Sequence, residues 1–132
     1  MLYVHPDSLH DHWEFVKEGL TRIHDRASDR WKPEDVYSML KANSAGLYII
    51  NDNDGFCILQ PVKGWDGQEL FVFAAYLKPG HDFMDESFDE VKQIGRNMNA
   101  KRIKFQSKRA GWHKRAIQLG YEFGHIEYEV SL

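Results

Sequence analysis

The stretch Glu69-Leu70-Phe71-Val72-Phe73-Ala74-Ala75-Tyr76-Leu77 decides the fold. Its apolar residues run without a break from Leu70 to Leu77. A strand exposed on one face alternates polar and apolar residues, whereas an unbroken apolar run is typical of a strand that is buried on both faces. The stretch therefore predicts a central strand of a β-sheet.

Two shorter strands are predicted ahead of this central strand. Residues 47–50 and 56–62 are largely apolar, and residues 51–55 between them, Asn-Asp-Asn-Asp-Gly, have the composition of a tight turn. A second turn over residues 63–67 leads into the central strand. Because short turns join neighbouring antiparallel strands, the three strands are predicted to form an antiparallel meander.

Helical spacing of apolar residues occurs on both sides of the meander. Before it, the spacing predicts one helix over residues 9–27 and a second that begins at Pro33. After it, the pattern predicts a helix over residues 85–99, a short strand over 103–106, a short helix over 111–119 and a closing strand over 121–132. A strand–helix–strand passage is normally parallel with a right-handed crossover. We therefore expect one α/β domain over residues 1–132, with a mixed sheet and the order α-α-β-β-β-α-β-α-β.

Composition excludes several classes of protein. The chain has 132 residues, of which 42% are hydrophobic and 28% charged, which fits one folded domain and excludes a disordered or collagen-like chain. No apolar run is long enough to span a bilayer, and the N-terminal residues lack the pattern of a secretion signal. Cys57 is the only cysteine, so an internal disulfide is excluded. These features predict a cytoplasmic protein without a membrane partner.

Charge is distributed unevenly although the net charge is only −3. Residues 82–90 hold five carboxylates and no Lys or Arg, whereas residues 101–115 hold seven cations and no carboxylate. The two segments are either solvated faces or, in the case of residues 101–115, an anion-binding surface. His10 and His12 suggest a metal site, but residues two apart on a helix point to different faces, so no metal is expected.

The C-terminal third carries a resemblance to a known family. Residues 103–107 form a predicted strand, and residues 111–121, Gly-Trp-His-Lys-Arg-Ala-Ile-Gln-Leu-Gly-Tyr, form a short helix with a Leu-Gly-aromatic ending. Together with the order of elements, this pattern resembles the GNAT acyltransferases. The order matches over nearly the whole chain, and the residue pattern matches only over 100–132. The segment Arg109-Ala110-Gly111-Trp112 is also similar to small GNAT-like proteins common in tailed bacteriophage genomes.

The resemblance implies an acyl-CoA site where the central strand and its parallel neighbour separate, which we expect after Leu77. The pantetheine arm would pair with the backbone of Ala75, Tyr76 and Leu77. The pyrophosphate would lie near the start of the next helix, whose free amides attract anions. Further cofactor-binding residues are predicted in the two flanking loops: Lys78 and Gly80 in the first, and Ser107, Lys108, Arg109 and Trp112 in the second.

The prediction that the second of these loops binds an anion also has a basis that is independent of the family. It lies between a strand end and a helix start, where free amides and the cations Lys108 and Arg109 converge. Trp112 either stacks on a purine ring or anchors the short helix in the core. Phosphates of CoA suit the loop, as would a nucleic-acid backbone, but only Trp112 and Phe105 interleave aromatic rings with the cations, so a nucleic-acid partner is the weaker interpretation.

The sequence departs from the family pattern at the expected catalytic positions. Residues 77–84 lack the usual glycine-rich loop, with Gly80 as the only glycine, and acidic residues crowd the helix start. Ala116 occupies the position where the family commonly has a tyrosine that protonates the leaving thiolate. Tyr76 and His113 are the substitute acids that we consider first, ahead of Tyr128. Glu69 is the first candidate for the general base, ahead of Glu127.

The sequence is compatible with two functions. The first is an acetyl-CoA-dependent N-acetyltransferase that acts on an amine substrate. The second is a catalytically inactive GNAT fold that serves as a binding module, with a phage structural protein or a host protein as its partner, in the host cytoplasm or the virion. Exposed aromatic residues are compatible with a homodimer in either case.

Overall fold

The strands of the central sheet lie side by side in the order in which they occur along the chain. The structure is a computed structural model that describes residues 1–27, 29–80, 84–107 and 111–132. The first four strands are antiparallel, and the fifth is parallel to the fourth. The strands are β1 (Leu2–Val4), β2 (Gly46–Ile50), β3 (Gly55–Lys63), β4 (Gln68–Leu77) and β5 (Ile103–Phe105).

In the described ranges, four α-helices accompany the sheet: α1 (Trp13–Ala27), α2 (Pro33–Lys41), α3 (Met84–Asn97) and α4 (Trp112–Gln118). A 3-10 helix, Pro6–Asp11, precedes α1 and takes up the first residues that the apolar spacing had assigned to it. Pro33 opens α2 as predicted, where its missing N–H is not needed. The Lys32 N–H donates to the Asp35 carboxylate at 2.8 Å and closes this helix start. No helix in the described ranges is long and apolar enough to cross a membrane.

Two apolar cores lie on opposite faces of the sheet. The helices α1 and α2 cover one face, and the helix α3 covers the other. The larger core is formed by buried residues of the first two helices, the 3-10 helix, β1 to β4 and the turn before β2: Val4, Leu9, Val16, Leu20, Val36, Leu40, Ala45, Leu47, Ile49, Phe56, Ile58 and Ala74. The smaller core is formed by Cys57, Leu59, Leu70 and Val91. Burial on both faces confirms that β4 is a central strand.

The mixed α/β fold class is confirmed, with two differences at the ends of the chain. The strand β1 was not predicted, because three residues are too few to show a periodic pattern. The closing strand predicted over residues 121–132 was wrong, since these residues form no strand. Alternating apolar residues become a strand only when a neighbouring edge pairs with their backbone, and no described strand pairs with this segment.

Candidate active site

The strands β4 and β5 separate within β4. Their parallel register joins Leu70 to Ile103, Phe71 to Lys104 and Val72 to Phe105, and it ends there. The strand β4 continues to Leu77, still paired with β3 on its other side. We call the open space beside the unpaired edge of β4, from Phe73 to Leu77, the fork. The separation begins after Val72, earlier than the predicted position after Leu77.

A β-bulge marks the place where the strands separate. Ile58 of β3 pairs with Ala74 of β4, and the next residue, Leu59, pairs with Val72, so that Phe73 is the extra residue. A bulge bends its strand and increases the local twist. The bulge therefore coincides with the point where pairing of β4 with β5 ends.

Backbone groups of β4 point into the fork. The Lys78 N–H donates to the Asp54 carbonyl at 2.8 Å, which places the amide of Lys78 on the β3 side. Because hydrogen-bonding directions alternate along an antiparallel strand, the amide of Tyr76 lies on the β3 side as well. The N–H and C=O groups of Ala75 and Leu77 then face the open side, where the register gives them no strand partner in the described chain.

The wall of the fork on the α1 side is aromatic. The Tyr76 ring lies 5.7 Å from the Phe56 ring and 6.4 Å from the Phe15 ring, measured between centroids. A Cβ atom at Gly19 would come within 2.4 Å of the Phe56 ring and 3.0 Å of the Tyr76 ring. The absence of a side chain at Gly19 therefore lets α1 lie directly against Phe56 and Tyr76.

A second aromatic cluster joins β5, α3 and α4. The Tyr121 ring lies 4.7 Å from the Phe105 ring and 5.0 Å from the Phe88 ring, and the Trp112 ring lies 5.9 Å from the Phe105 ring. Burial raises the pKa of the Tyr121 hydroxyl to about 12. Trp112 is half-buried in this cluster, which favours its role as an anchor of α4 over a stacking platform.

The Leu-Gly-aromatic ending has a physical explanation in this cluster. Gly120 adopts a φ of +92°, a conformation that glycine reaches without a steric penalty. The Gly120 N–H donates to the Ile117 carbonyl at 3.0 Å, and the Tyr121 N–H donates to the Ala116 carbonyl at 3.0 Å. This pair of bonds ends a helix and reverses the chain. It thereby returns Tyr121 to Phe105 and Phe88.

The start of α3 carries less net negative charge than its sequence suggested. The Arg115 guanidinium of α4 donates to the Asp85 carboxylate at 3.1 Å and so neutralises one of the carboxylates at this helix start. Glu86 is exposed, and Asp82 lies outside the described residues. On the other side of the loop, the Lys78 ammonium lies 5.2 Å from the centre of the Phe15 ring.

Glu69 belongs to an ion-pair network at the beginning of β4. Its buried carboxylate accepts a hydrogen bond from the Arg102 guanidinium and lies 3.0 Å from the Lys104 ammonium. The Arg102 guanidinium also donates to the Asp66 carboxylate at 2.8 Å. The Arg102 bond lowers the pKa of Asp66 to about 2, and the bonds from Arg102 and Lys104 lower the pKa of Glu69. The network therefore fastens the hairpin before β4 to the beginning of β5.

This network predicts a stability that depends on pH. In the unfolded chain Asp66 and Glu69 bind protons near their ordinary pKa values of 3.8 and 4.5, whereas in the folded chain they bind them at lower pH. The unfolding free energy should therefore fall as the pH is lowered from about 4.5 towards 2. We expect this fall to be smaller in Arg102→Gln than in wild type, as measured by denaturant unfolding across that range. Arg96→Gln on α3 removes the same charge, and its unfolding free energy should fall with pH as steeply as that of wild type. An equally steep fall in both variants would contradict the role of Arg102 in lowering the two pKa values.

The structure places the three candidate proton-transfer residues apart. Tyr76 lies at the fork. Glu69 is seven positions earlier on the same strand, roughly 23 Å away at the usual rise per residue. His113 is exposed on α4, where its ring lies 6.1 Å from the Phe123 ring.

The predicted cofactor-binding residues are only partly at the fork. Ala75 and Leu77 present backbone groups to it, whereas the backbone of Tyr76 faces β3. Lys78 and Gly80 follow directly in the exposed loop, and Gly80 has a φ of +86°. Ser107 is exposed after β5. Lys108 and Arg109 lie outside the described residues. Two depressions of the described surface, of about 430 and 590 Å³, border the 51–53 turn and the outer face of α1 and not the fork.

The roles of Phe73 and Arg102 were not predicted from the sequence. A bulge depends on the register between two strands, and no local pattern of residues announced it. Arg102 was counted only as one of seven cations in a charged segment. Its two partners precede it by more than thirty positions, and their proximity follows from the parallel pairing of β4 with β5.

Comparisons with known proteins identify the fold through solved structures. No protein-family model matches the chain, and no curated protein matches it either. The ribosomal-protein-alanine N-acetyltransferase from Brucella melitensis biovar Abortus 2308 is similar, with a TM-score of 0.73 at 13% identity over 98% of this chain and 97% of that chain. The aminoglycoside N-acetyltransferase AAC(6')-Iy in complex with CoA has a TM-score of 0.69 at 14% identity over 92% and 90% of the two chains.

A third similar structure is an aminoglycoside acetyltransferase from an uncultured soil metagenomic sample, in complex with sisomicin. Its TM-score is 0.69 at 10% identity, over 98% of this chain and 93% of that chain. All three matches extend over nearly the whole of both chains, so the similarity is one of complete folds. The chain therefore has the GNAT fold that the order of its elements indicated.

Proposed function

We propose that this protein binds an acyl-CoA at the fork and transfers its acyl group to an amine. The observation that carries the proposal is the early separation of β4 from β5, which leaves the backbone of Ala75 and Leu77 facing an open edge. An extended chain with amide groups, such as pantetheine, can pair with such an edge as an added strand does. The neighbouring structure that contains CoA supports the choice of ligand.

The charges around the fork are compatible with the remainder of this ligand. The fourteen-residue helix α3 begins beside the loop of Lys78 and Gly80, and its first amides and its dipole favour an anion. Asp85 opposes an anion less than its charge alone would, because Arg115 is bonded to it. We propose that the pyrophosphate lies at this helix start, with Lys78 as the nearest described cation on the β4 side.

Acyl transfer at such a site depends mainly on positioning. The amine nitrogen attacks the thioester carbonyl carbon, the carbon–sulfur bond breaks, and the nitrogen loses the proton that the leaving thiolate needs. Holding both reactants in contact supplies much of the acceleration, and backbone amides can stabilise the carbonyl oxygen. Of the candidates Glu69, Tyr76 and His113, Tyr76 is the one that lies at the fork, and we propose it as the first residue to test as the acid.

Calorimetric titration with acetyl-CoA tests the proposal. We expect saturable binding of acetyl-CoA. Desulfo-CoA, which lacks the thiol and the acyl group, should compete with it. The decisive variant is Ala75→Pro, which removes the N–H that faces the fork and leaves the β3 ladder intact, because that N–H takes no part in it. Loss of one well-made hydrogen bond should weaken binding by about tenfold. Ala75→Ser retains the N–H and serves as the matched control.

Two results would refute the acyl-CoA site. One is the absence of detectable heat and of competition at millimolar acetyl-CoA with folded protein. The other is equal affinity of Ala75→Pro and Ala75→Ser, which would mean that the ligand binds elsewhere. Circular dichroism of both variants establishes that they are folded before the titrations are compared.

A second candidate function is a GNAT fold without catalysis that binds another protein. The observations that favour it are Ala116 at the position of the usual acid and Glu69 held as a carboxylate by two cations. A phage structural protein or a host protein would be the partner. Stable association with such a protein in the absence of CoA, combined with failure of the acetyl-CoA titration, would favour this function over the enzyme.

A further inference from the structure

We infer, on the basis of the proposed function, that the amine substrate carries an aromatic ring a few bonds from its nitrogen. Four aromatic side chains beside the fork form the surface that would bind this ring. They are His24 in the last turn of α1, Trp31 in the connection between α1 and α2, and Phe71 and Phe73 of β4. We call these four side chains the aromatic row.

The aromatic row is continuous and remains accessible. The His24 and Phe73 rings lie 5.8 and 5.6 Å from the Trp31 ring, measured between centroids. The Phe71 ring lies 6.4 Å from the Phe73 ring. All four residues are half-buried, so each keeps part of its surface accessible in the described chain. Contiguous apolar surface that a fold leaves uncovered is typical of a ligand-binding groove.

The aromatic row lies on the α1 side of the sheet. Trp31 and Phe73 pack against the larger core, which is on that side. Leu70 and Val72, the neighbours of Phe71 along β4, belong to the smaller core under α3. Because side chains alternate between the two faces of a strand, Phe71 points to the α1 side as well. The smaller core closes the other face of this part of β4, so an amine reaches the beginning of the fork along the aromatic row.

The position of the aromatic row on β4 sets the distance between the ring and the nitrogen. In the proposed complex the pyrophosphate lies beyond Leu77 and the pantetheine arm runs along residues 75–77, so that its thioester end points towards Phe73. Two positions along a strand span about 7 Å. A ring stacked on Phe71 and Phe73 therefore reaches the thioester with an amine on a linker of about two or three carbon atoms.

The charges beside the aromatic row favour a single ammonium group over a polycation. At one end of the row, the Glu69 carboxylate is already bonded to Arg102 and Lys104. At the other end, the Glu129 carboxylate is bonded to Arg30. A substrate with several ammonium groups would have to displace these cations to use either carboxylate, whereas an aromatic amine obtains its binding energy from the rings.

Acetylation of three amines by the full chain tests the inference, with the N-acetyl amide and CoA as products. We expect kcat/KM for 2-phenylethylamine to exceed that for propylamine by about tenfold or more, because propylamine has no ring to bury. Spermidine, a polycation, should react more slowly than 2-phenylethylamine. Mass spectrometry of the amides gives the rates at saturating acetyl-CoA. The ratio of two amines in one preparation does not depend on the fraction of protein that is folded.

Phe71→Leu is the decisive variant. It retains an apolar side chain and removes the ring, so the ratio of 2-phenylethylamine to propylamine should fall by about threefold or more. Phe123→Leu is the matched control, because Phe123 is exposed in the C-terminal segment and lies outside the aromatic row. It should retain the wild-type ratio.

The outcomes separate this inference from the proposed function. A ratio near one in wild type, a ratio that Phe71→Leu leaves unchanged, or faster acetylation of spermidine than of 2-phenylethylamine would each overturn the inference. Acyl transfer would stand in these cases, because an acetylated product is still formed. Binding of acetyl-CoA with no product from 2-phenylethylamine would also overturn the inference alone. If acetyl-CoA does not bind in the calorimetric titration, the proposed function and the inference both fail.

Discussion

Replacing Phe56 by alanine is expected to remove about 3–5 kcal/mol of unfolding free energy, the cost of deleting a large buried side chain. The Phe56 side chain is fully buried in the larger core. Its ring lies 5.8 Å from the Phe15 ring and 5.7 Å from the Tyr76 ring, so its loss opens a cavity between α1 and β4. The total unfolding free energy of a domain of this size is only about 5–15 kcal/mol, so the variant should be close to unfolding at ambient temperature.

Denaturant titration followed by circular dichroism measures this loss. Trp65→Ala is the control, because it deletes a larger ring that is fully exposed in the turn before β4. Its unfolding free energy should stay within about 0.5 kcal/mol of wild type, as is usual for exposed positions. If Phe56→Ala lost no more unfolding free energy than Trp65→Ala, the position of Phe56 in the core would be contradicted.

Replacing Gly55 by alanine is expected to damage both stability and ligand binding. A Cβ atom at Gly55 would lie 2.3 Å from the Tyr76 carbonyl oxygen and 3.3 Å from the Leu77 Cα. These are backbone atoms of β4, so the clash cannot be relieved by turning a side chain, and β3 and β4 must move apart. Overpacking of this kind costs about 1–3 kcal/mol. Since the moved segment borders the fork, acetyl-CoA binding should weaken together with the stability.

Gly46→Ala is the matched control for this variant. Gly46 also lies in a strand of the sheet, but an added Cβ would come no closer than 3.3 Å to its nearest neighbour, the Tyr48 ring. That ring belongs to a side chain that can move slightly. We expect little change in unfolding free energy and unchanged acetyl-CoA affinity. If Gly55→Ala bound acetyl-CoA as tightly as Gly46→Ala, the end of β4 would not be part of the binding site.

The sequence was sufficient for the elements whose signal is local. Pro33 at the start of α2, the Asn-Asp-Asn-Asp-Gly turn before β3 and the apolar run of β4 all lie where the structure has them. Three successive turn residues, Asn51 to Asn53, have positive φ angles of 45°, 51° and 69°. Asn and Asp tolerate this conformation better than other side chains do, which is why their presence predicts a turn.

The details of the candidate site depend on contacts between distant residues, and these have no local signal. The bulge at Phe73 arises from the register of β3 against β4, and the fork begins at this residue, directly after the last pair of β4 with β5. Glu69 is buried because Arg102 and Lys104 reach it from β5, which a pattern within β4 does not show. The closing strand was predicted from a correct alternation of residues, but alternation does not specify which edge the strand joins.

The two cores can form at different points during synthesis of the chain. Every residue of the larger core lies between Val4 and Tyr76, whereas the smaller core needs Val91 and the side chains of α3 and β5. A ribosome-bound chain that has emerged as far as β4 therefore already contains the residues for an antiparallel sheet with its first helical layer. The opposite face of that nascent sheet stays bare until α3 is synthesised, and this interval is when the chain most needs protection from aggregation.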